Sequence, residues 1–144
     1  MILLHGIGDN RKGMVGFAPA YPSRGHAVLM PDSRAHGASG GIPTYGIMEV
    51  GDVSLWCECL HAHGTSGCVF GMGGSMGAAI LLQAAERVPF CAIVAESPFA
   101  SFRQIAYIRV GQFFNTGHWL GNTLLRPAVE LAFLDRAAET EGKS

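Results

Sequence analysis

Four short apolar runs alternate along the chain with longer segments in which apolar residues recur at helical spacing. Runs of this length are typical of buried strands, and strands that alternate with helices build crossover units around a parallel sheet. The pattern predicts an α/β fold with a mostly parallel sheet of about four strands, flanked by helices and followed by a helical C-terminal segment. The predicted strands are residues 1–4, 27–30, 68–72 and 92–95.

The helical segments differ in how regular their pattern is. The second is the strongest, because four apolar residues recur at i, i+3, i+4 and i+7 and so form one buried stripe. The stripe consists of Val53, Trp56, Cys57 and Leu60. The third helix follows Ser75 and stops before Pro89, since proline disfavours helical geometry in the residue that precedes it. The predicted helices are 14–21, 48–61, the segment after Ser75, 102–114 and 119–136.

Composition narrows the class of protein. Of the 144 residues, 49% are hydrophobic and 15% are charged, and the formal net charge is −1. This balance gives no indication of binding to nucleic acid or to an anionic membrane surface, so a small neutral or weakly charged substrate is expected. The chain has no apolar stretch of membrane-spanning length and no signal-peptide pattern at its start, which predicts a cytoplasmic protein with four reduced cysteines. We expect one core over 1–136 and a frayed tail over 137–144.

Ser75 lies between an apolar strand-like run and a helix-like run, in the sequence Gly73-Gly74-Ser75-Met76-Gly77. This is the G-x-S-x-G pattern of a nucleophile elbow, in which a sharp turn presents a serine hydroxyl above the sheet. Small residues on either side let the strand and the helix pass closely. The strand and helix context makes Ser75 a candidate nucleophile rather than part of a glycine-rich structural turn.

A second turn carries chemistry that complements this serine. The strand 1–4 runs directly into His5-Gly6-Ile7-Gly8, and a glycine-rich turn after a strand leaves backbone N–H groups unpaired. In acyl transfer, such groups can receive the negative oxygen of a tetrahedral intermediate, together with the N–H of the residue after the nucleophile. The candidate donors are therefore the N–H groups of Ile7 and Met76.

With these motifs the chain resembles the alpha/beta-hydrolase superfamily, in its branch related to serine aminopeptidase, prolyl oligopeptidase and dienelactone hydrolase. Besides His5-Gly6 and the Ser75 elbow, residues 31–39 resemble the family's D-x-R-G-H-G-x-S loop, with Ala35 where glycine is usual. Glu96-Ser97-Pro98-Phe99 also resembles the family. The resemblance covers residues 1–136, the N-terminal to central portion only.

The resemblance implies a Ser–acid–His triad of which this chain shows one member. In the family, the acid and then the histidine follow the nucleophile on loops after later strands. Downstream of Ser75 the chain has one histidine, His118, and one aspartate, Asp135, in the reverse order and in helical surroundings. The acid and the histidine are therefore expected beyond the end of the chain. His118 is an alternative candidate for the base. Glu96 is an alternative candidate for the acid, because it lies at the carboxyl end of a predicted strand.

Other polar clusters favour structural roles. Asp32, Arg34 and His36 are expected to satisfy one another and nearby backbone groups. The segment 57–63 carries two Cys/His pairs at i, i+4, but these pairs face opposite sides of a helix and cannot bind one ion together. We therefore expect no metal site and no cofactor.

The sequence predicts a serine hydrolase that cleaves an ester or amide bond of a small molecule or peptide by acyl transfer. Ser75 would attack, and Ile7 and Met76 would hold the oxyanion, but the chain alone is expected to be inactive because its acid and histidine are missing. The alternative is a non-catalytic pseudoenzyme or a fragment that a partner completes. The open edge of the strand 92–95 would favour self-association.

Overall fold

The computed structural model describes residues 1–22, 25–103, 105–107, 127 and 130. The chain divides into two compact units, Met1–Phe99 and Ala100–Ser144. The first unit has α/β architecture, with a parallel sheet and helices. Its strands are β1 (Ile2–Leu4), β2 (Val69–Gly74) and β3 (Phe90–Glu96), and its helices are α1 (Glu49–Ala62) and α2 (Met76–Ala84).

The sheet is parallel, with its three strands in the order β1-β2-β3. Leu4 pairs with Gly73 on β2, so the carboxyl ends of β1 and β2 lie at the same edge of the sheet. The run 27–30, predicted as a fourth strand, contributes one parallel bridge between Leu29 and Ile2. Leu29 donates its N–H to the Met1 carbonyl at 2.8 Å and accepts from the Leu3 N–H at 2.9 Å. Pro31 follows closely and has no N–H to extend the pairing.

The core lies between β1, β2, α1 and α2. All three residues of β1 are buried, as are most residues of α2, because each element is covered by its neighbours. The predicted stripe of α1 is confirmed, with Val53, Cys57 and Leu60 buried and Trp56 packed against them. Burial of these apolar side chains supplies most of the favourable free energy of this unit.

The start of α1 is held by a buried carboxylate. Glu49 accepts hydrogen bonds from the Thr44 N–H at 2.7 Å, the Thr44 hydroxyl at 2.6 Å and the Gly46 N–H at 2.8 Å. Burial raises the pKa of Glu49, but these hydrogen bonds outweigh burial and the net pKa is lowered. The helix begins at Glu49 and ends at Ala62, one residue from each predicted bound.

The prediction of a first helix over 14–21 is wrong. The structure has two short 3₁₀ helices instead, Arg11–Met14 and Ala18–Ala20. Gly13 and Gly16 lower the helical propensity of this segment, and Pro19 cannot donate the backbone hydrogen bond that an α-helix interior needs. The segment therefore closes only tight local turns.

The second unit is described at a few residues. Phe102, Arg103 and 105–107 are helical, within the predicted helix 102–114. Tyr107 donates a hydrogen bond to Glu130, and Arg103 forms an ion pair with Glu130 at 3.4 Å. The rest of the predicted C-terminal helices, His118, Asp135 and the tail 137–144 lie outside the described residues, and the domain bounds at 136 stay a prediction. No helix among the described residues has the length and apolarity to span a bilayer.

The expectation that all four cysteines are reduced is wrong for two of them. Cys68 and Cys91 form a disulfide, with their Cα atoms 5.6 Å apart. Cys68 directly precedes β2 and Cys91 lies in β3, so the strand pairing brings together two residues that are 23 apart in sequence. Cys57 and Cys59 are free thiols, and burial raises the pKa of Cys57.

Candidate active site

Ser75 occupies a sharp turn between the last residue of β2 and the first residue of α2. Its backbone angles are φ 49° and ψ −106°, a conformation that costs a non-glycine residue about 1–3 kcal/mol and persists only where the surrounding fold imposes it. The predicted strand–serine–helix arrangement is confirmed, with β2 running to Gly74, two residues beyond the predicted end of the strand. The Ser75 side chain does not cap α2.

The backbone of Ser75 is bonded on both sides. Its N–H donates to the Glu96 carbonyl at 2.8 Å, and its carbonyl accepts from the Ala79 N–H at 3.0 Å. The end of β3 therefore holds the turn in place. The Ser75 N–H is therefore not a candidate donor to a substrate oxygen. The Met76 N–H lies in the first turn of α2, where backbone donors have no intrahelical acceptor.

Two glycines permit the turn by bringing backbones into close contact. A Cβ atom on Gly73 would lie 2.5 Å from the Gly77 carbonyl carbon and 2.6 Å from the Ala78 nitrogen. A Cβ atom on Gly77 would lie 2.6 Å from the Leu4 Cβ atom and closer still to the Leu4 carbonyl oxygen. Both distances are shorter than side chains tolerate, which explains why glycine stands two residues before and two residues after Ser75.

The loop after β1 lies against this turn. A Cβ atom on Gly6 would lie 3.5 Å from the Ser75 Cβ atom and 3.5 Å from the Gly74 carbonyl oxygen. Ile7 is the next residue, and its side chain is 45% exposed. The structure thus brings the loop that carries Ile7 beside the segment that carries Ser75 and Met76, as expected of strands whose carboxyl ends share one edge.

The loop after the Leu29 bridge is built around Asp32. Its carboxylate accepts from the Ala38 N–H at 2.9 Å and the Arg11 N–H at 2.7 Å, and it pairs with the Arg11 guanidinium at 3.1 Å. These hydrogen bonds, from Ala38 first and Arg11 second, lower the pKa of Asp32 despite desolvation. The sequence predicted mutual satisfaction within this loop, but it held no signal for Arg11 as a partner.

Arg34 and His36 also have structural partners. Arg34 forms two hydrogen bonds of 2.6 Å to the carboxylate of Asp52 on α1, a bidentate pair that raises the pKa of the guanidinium. The Nδ1 atom of His36 bonds the Arg34 carbonyl at 2.7 Å. Ala35, between them, has φ 57°, a left-handed conformation that glycine adopts without strain.

The candidate acid and base are not assembled within the described residues. Ser75 makes no hydrogen bond to a histidine in the part of the chain that the structure describes. Glu96 is exposed and pairs in register with Gly74, so it lies at the correct end of the sheet. His118 and Asp135 are outside the described residues. A hydroxyl without a neighbouring base is a poor nucleophile, and the residues that would activate Ser75 stay a prediction.

The Cys/His segment of α1 shows no arrangement for a metal. The Cys59 Sγ atom lies 3.7 Å from the His63 Nδ1 atom, and the His61 Nδ1 atom bonds the Thr65 carbonyl oxygen at 2.9 Å. Over the described ranges, no group of three or more His, Cys, Asp or Glu side chains could hold an ion.

A family model described as alpha/beta hydrolase fold matches residues 1–124 of the chain. Two structures of the Pyrococcus furiosus esterase Pf2001, in different space groups, match the chain with TM-scores of 0.71 and 0.67, both at 28% sequence identity. The matches cover 89% and 87% of this chain and 53% and 50% of the esterase, so the chain spans about half the length of that protein. No curated protein matches the chain.

Proposed function

The chain belongs to the alpha/beta hydrolase family, and from that premise we propose that it carries the nucleophile of a serine hydrolase, Ser75. The observation that supports this most is the conformation of Ser75, with φ 49° on a tight strand-to-helix turn. A serine is rarely held in such strain by chance, and glycine would fill a purely structural turn at lower energy. The reaction is acyl transfer to the Ser75 hydroxyl from an ester or amide.

In this reaction the Ser75 Oγ atom attacks the substrate carbonyl carbon while its proton passes to the triad base, and the bond to the alcohol or amine then breaks as this leaving group takes up that proton. During the attack the carbonyl π bond opens and the carbonyl oxygen takes the negative charge. We assign the stabilisation of that oxygen to the N–H groups of Ile7 and Met76. The contact between Gly6 and the Ser75 turn supports this assignment, as does the position of Met76 at the start of α2. Two preorganised donors of this kind are the largest electrostatic contribution to many acyl transfers.

The acid and the histidine of the triad are proposed to lie outside the described residues. The chain spans about half of the matching esterase, and the described part of the chain places no base beside Ser75. Loss of a triad base reduces turnover by several orders of magnitude. We propose a small ester, an amide or a peptide as substrate, and cytoplasmic location stays part of the same proposal.

One observation favours the alternative of a partner-completed or non-catalytic protein. Among the described strands, β3 pairs with β2 along one edge and with no strand along the other. Val94 on this strand is 56% exposed, and residues 90–95 carry no charge that would discourage pairing with another chain. Self-association through this edge would appear in size-exclusion chromatography as a dimer or larger species.

The test separates attack by Ser75 from full turnover. We expect the 144-residue chain to hydrolyse p-nitrophenyl acetate no faster than its Ser75→Ala variant, because no described residue is hydrogen-bonded to Ser75 as a base. We also expect phenylboronic acid to form a tetrahedral adduct with the Ser75 hydroxyl, visible by ¹¹B NMR, since this adduct needs a nucleophile and an oxyanion site. The adduct should vanish in Ser75→Ala and persist in Ser66→Ala, an exposed loop serine. Absence of a Ser75-dependent adduct would favour the non-catalytic alternative.

A further inference from the structure

His5 is a fully buried histidine with both ring nitrogens in hydrogen bonds. It is 0% exposed and directly follows β1. Its Nδ1 atom bonds the Gly6 carbonyl oxygen at 2.8 Å, and its Nε2 atom bonds the Ser33 N–H at 3.1 Å. The ring also packs against His36, with ring centroids 5.1 Å apart. Two loops that are distant in sequence are thus joined through one imidazole.

The two partners determine which nitrogen carries the proton. A carbonyl oxygen only accepts, so Nδ1 must be the donor to Gly6, and a backbone N–H only donates, so Nε2 must accept from Ser33. One neutral tautomer, with the hydrogen on Nδ1, satisfies both bonds. A doubly protonated ring would place a hydrogen against the Ser33 N–H, and the other neutral tautomer would break both bonds.

The bond to Gly6 determines the orientation of the next N–H group. The Gly6 carbonyl and the Ile7 N–H belong to one planar trans peptide group, so the N–H points away from the carbonyl. That carbonyl is held by His5 at 2.8 Å and by the Asp9 N–H at 3.4 Å. Rotation of this peptide would redirect the Ile7 N–H and would leave the buried imidazole donor without its acceptor, which is unfavourable because a buried donor then has no partner.

We propose that His5 is a positioning residue for the reaction of Ser75. As the Nδ1–H tautomer, it locks the Gly6–Ile7 peptide so that the Ile7 N–H is presented to the oxyanion, although His5 itself touches neither substrate nor nucleophile. This inference rests on the proposed function of Ser75 and extends it to a residue to which the sequence assigned no role of its own. The competing role is that of a buried core histidine which stabilises both loops and nothing else.

The variants His5→Asn and His5→Gln distinguish the two roles, because the side-chain amide of each replaces a different ring nitrogen of His5. The side-chain amide of Asn reaches roughly the position of Nδ1 and can still donate to Gly6. The longer Gln side chain reaches the position of Nε2 and can accept from Ser33, but it does not supply the donor to Gly6. Both variants lose one of the two buried hydrogen bonds, so both should lose a similar amount of stability.

The experiment compares the dissociation constant of phenylboronic acid with thermal stability for the full chain, His5→Asn and His5→Gln. We expect His5→Asn to bind within about threefold of the wild type and His5→Gln to bind at least tenfold more weakly, since one oxyanion donor is worth 10²–10³-fold in rate. His61→Gln, on an exposed histidine of α1, should bind like the wild type. ¹⁵N NMR should show the hydrogen of His5 on Nδ1.

Each outcome decides the inference. If both His5 variants weaken boronate binding equally and in step with their loss of stability, His5 is only a core residue. A His5 hydrogen on Nε2 would overturn the inference in the same way. If the wild type forms no Ser75-dependent adduct, the proposed function itself is wrong and the positioning role falls with it, a result that the Ser75→Ala control makes recognisable.

Discussion

Replacing Gly73 or Gly77, the glycines two residues before and after Ser75, with alanine should lower the stability of the protein, whereas the same replacement at an ordinary helix glycine raises it. Gly77 lies in α2, and a Cβ atom there would be 2.6 Å from the Leu4 Cβ atom. That is roughly 1 Å closer than the 3.5–4.0 Å at which carbon atoms attract one another. Because the Leu4 backbone is also in contact, no side-chain rotation relieves the clash, and α2 must move away from β1.

The expected magnitude combines two effects. Overpacking in a close backbone contact costs about 1–3 kcal/mol, whereas Gly→Ala inside a helix gains about 1 kcal/mol. Since the clash of Gly77→Ala is with backbone and lies at the upper end, we expect a net loss of about 2 kcal/mol. Gly73→Ala has no helical gain and a contact of 2.5 Å to the Gly77 carbonyl carbon, so its loss should reach about 2–3 kcal/mol.

The chain supplies matched controls for both. Gly51 lies in α1 with no atom within 4 Å of an added Cβ, so Gly51→Ala should gain about 1 kcal/mol. Gly74 has the same open surroundings one residue before Ser75, and Gly74→Ala should stay within about 0.5 kcal/mol of the wild type. Urea unfolding followed by circular dichroism measures all four variants. If Gly77→Ala were as stable as Gly51→Ala, the close approach of α2 and β1 would be refuted.

Three further pairs of variants test backbone strain and a buried carboxylate. Ser75→Gly should be about 1 kcal/mol more stable than Ser75→Ala in thermal unfolding, because only glycine adopts φ 49°, ψ −106° without strain. Equal stabilities of the two variants would argue against a strained turn at Ser75. Ala35→Gly should gain up to about 1 kcal/mol because Ala35 has φ 57°, while Ala38→Gly, whose φ is not positive, should lose stability in the same assay. Glu49→Gln should lose about 1–3 kcal/mol at pH 7, because an amide cannot accept the three hydrogen bonds of the carboxylate, and Glu58→Gln on the exposed face should change little. The folded pKa of Glu49 lies below its ordinary value of 4.5, so the contribution of its carboxylate to stability is complete above pH 4.5 and is lost as the pH falls through the folded pKa. Urea titrations from pH 7 to pH 3 should therefore show a shrinking difference in stability between the wild type and Glu49→Gln. A constant difference would contradict the assignment.

Much of the fold was predictable because its signals are local. The α1 stripe repeats every three to four residues, and the helix begins and ends one residue from its predicted bounds. The Ser75 turn was predictable from five neighbouring residues, since a nucleophile elbow needs its glycines within two positions of the serine. The prediction of a helix over 14–21 failed because the glycines and Pro19 disfavour an α-helix there more strongly than the apolar spacing favours one.

Contacts between distant segments were not predictable in the same way. The partner of Asp32 proved to be Arg11, the partner of Arg34 proved to be Asp52, and Cys68 was paired with Cys91 against expectation. Each pair depends on which distant segments the fold brings together, and the spacing of hydrophobic residues within one segment does not encode that. The same reason hid the role of His5, whose hydrogen bond with the Ser33 N–H exists because the loop of Ser33 folds over the end of β1.

The sequence by itself determined which residue occupies the sharp turn and which elements flank it, because the elbow pattern consists of five consecutive residues between a strand-like run and a helix-like run. Only the tertiary structure decided what surrounds that turn: the Gly6 loop beside Ser75, the β3 carbonyl that accepts from its N–H, and the Ser33 N–H bonded to His5 at the end of β1. These contacts join strands that are dozens of residues apart in the chain. Parallel pairing brings their carboxyl ends to one edge, and side-chain identity alone does not specify that register.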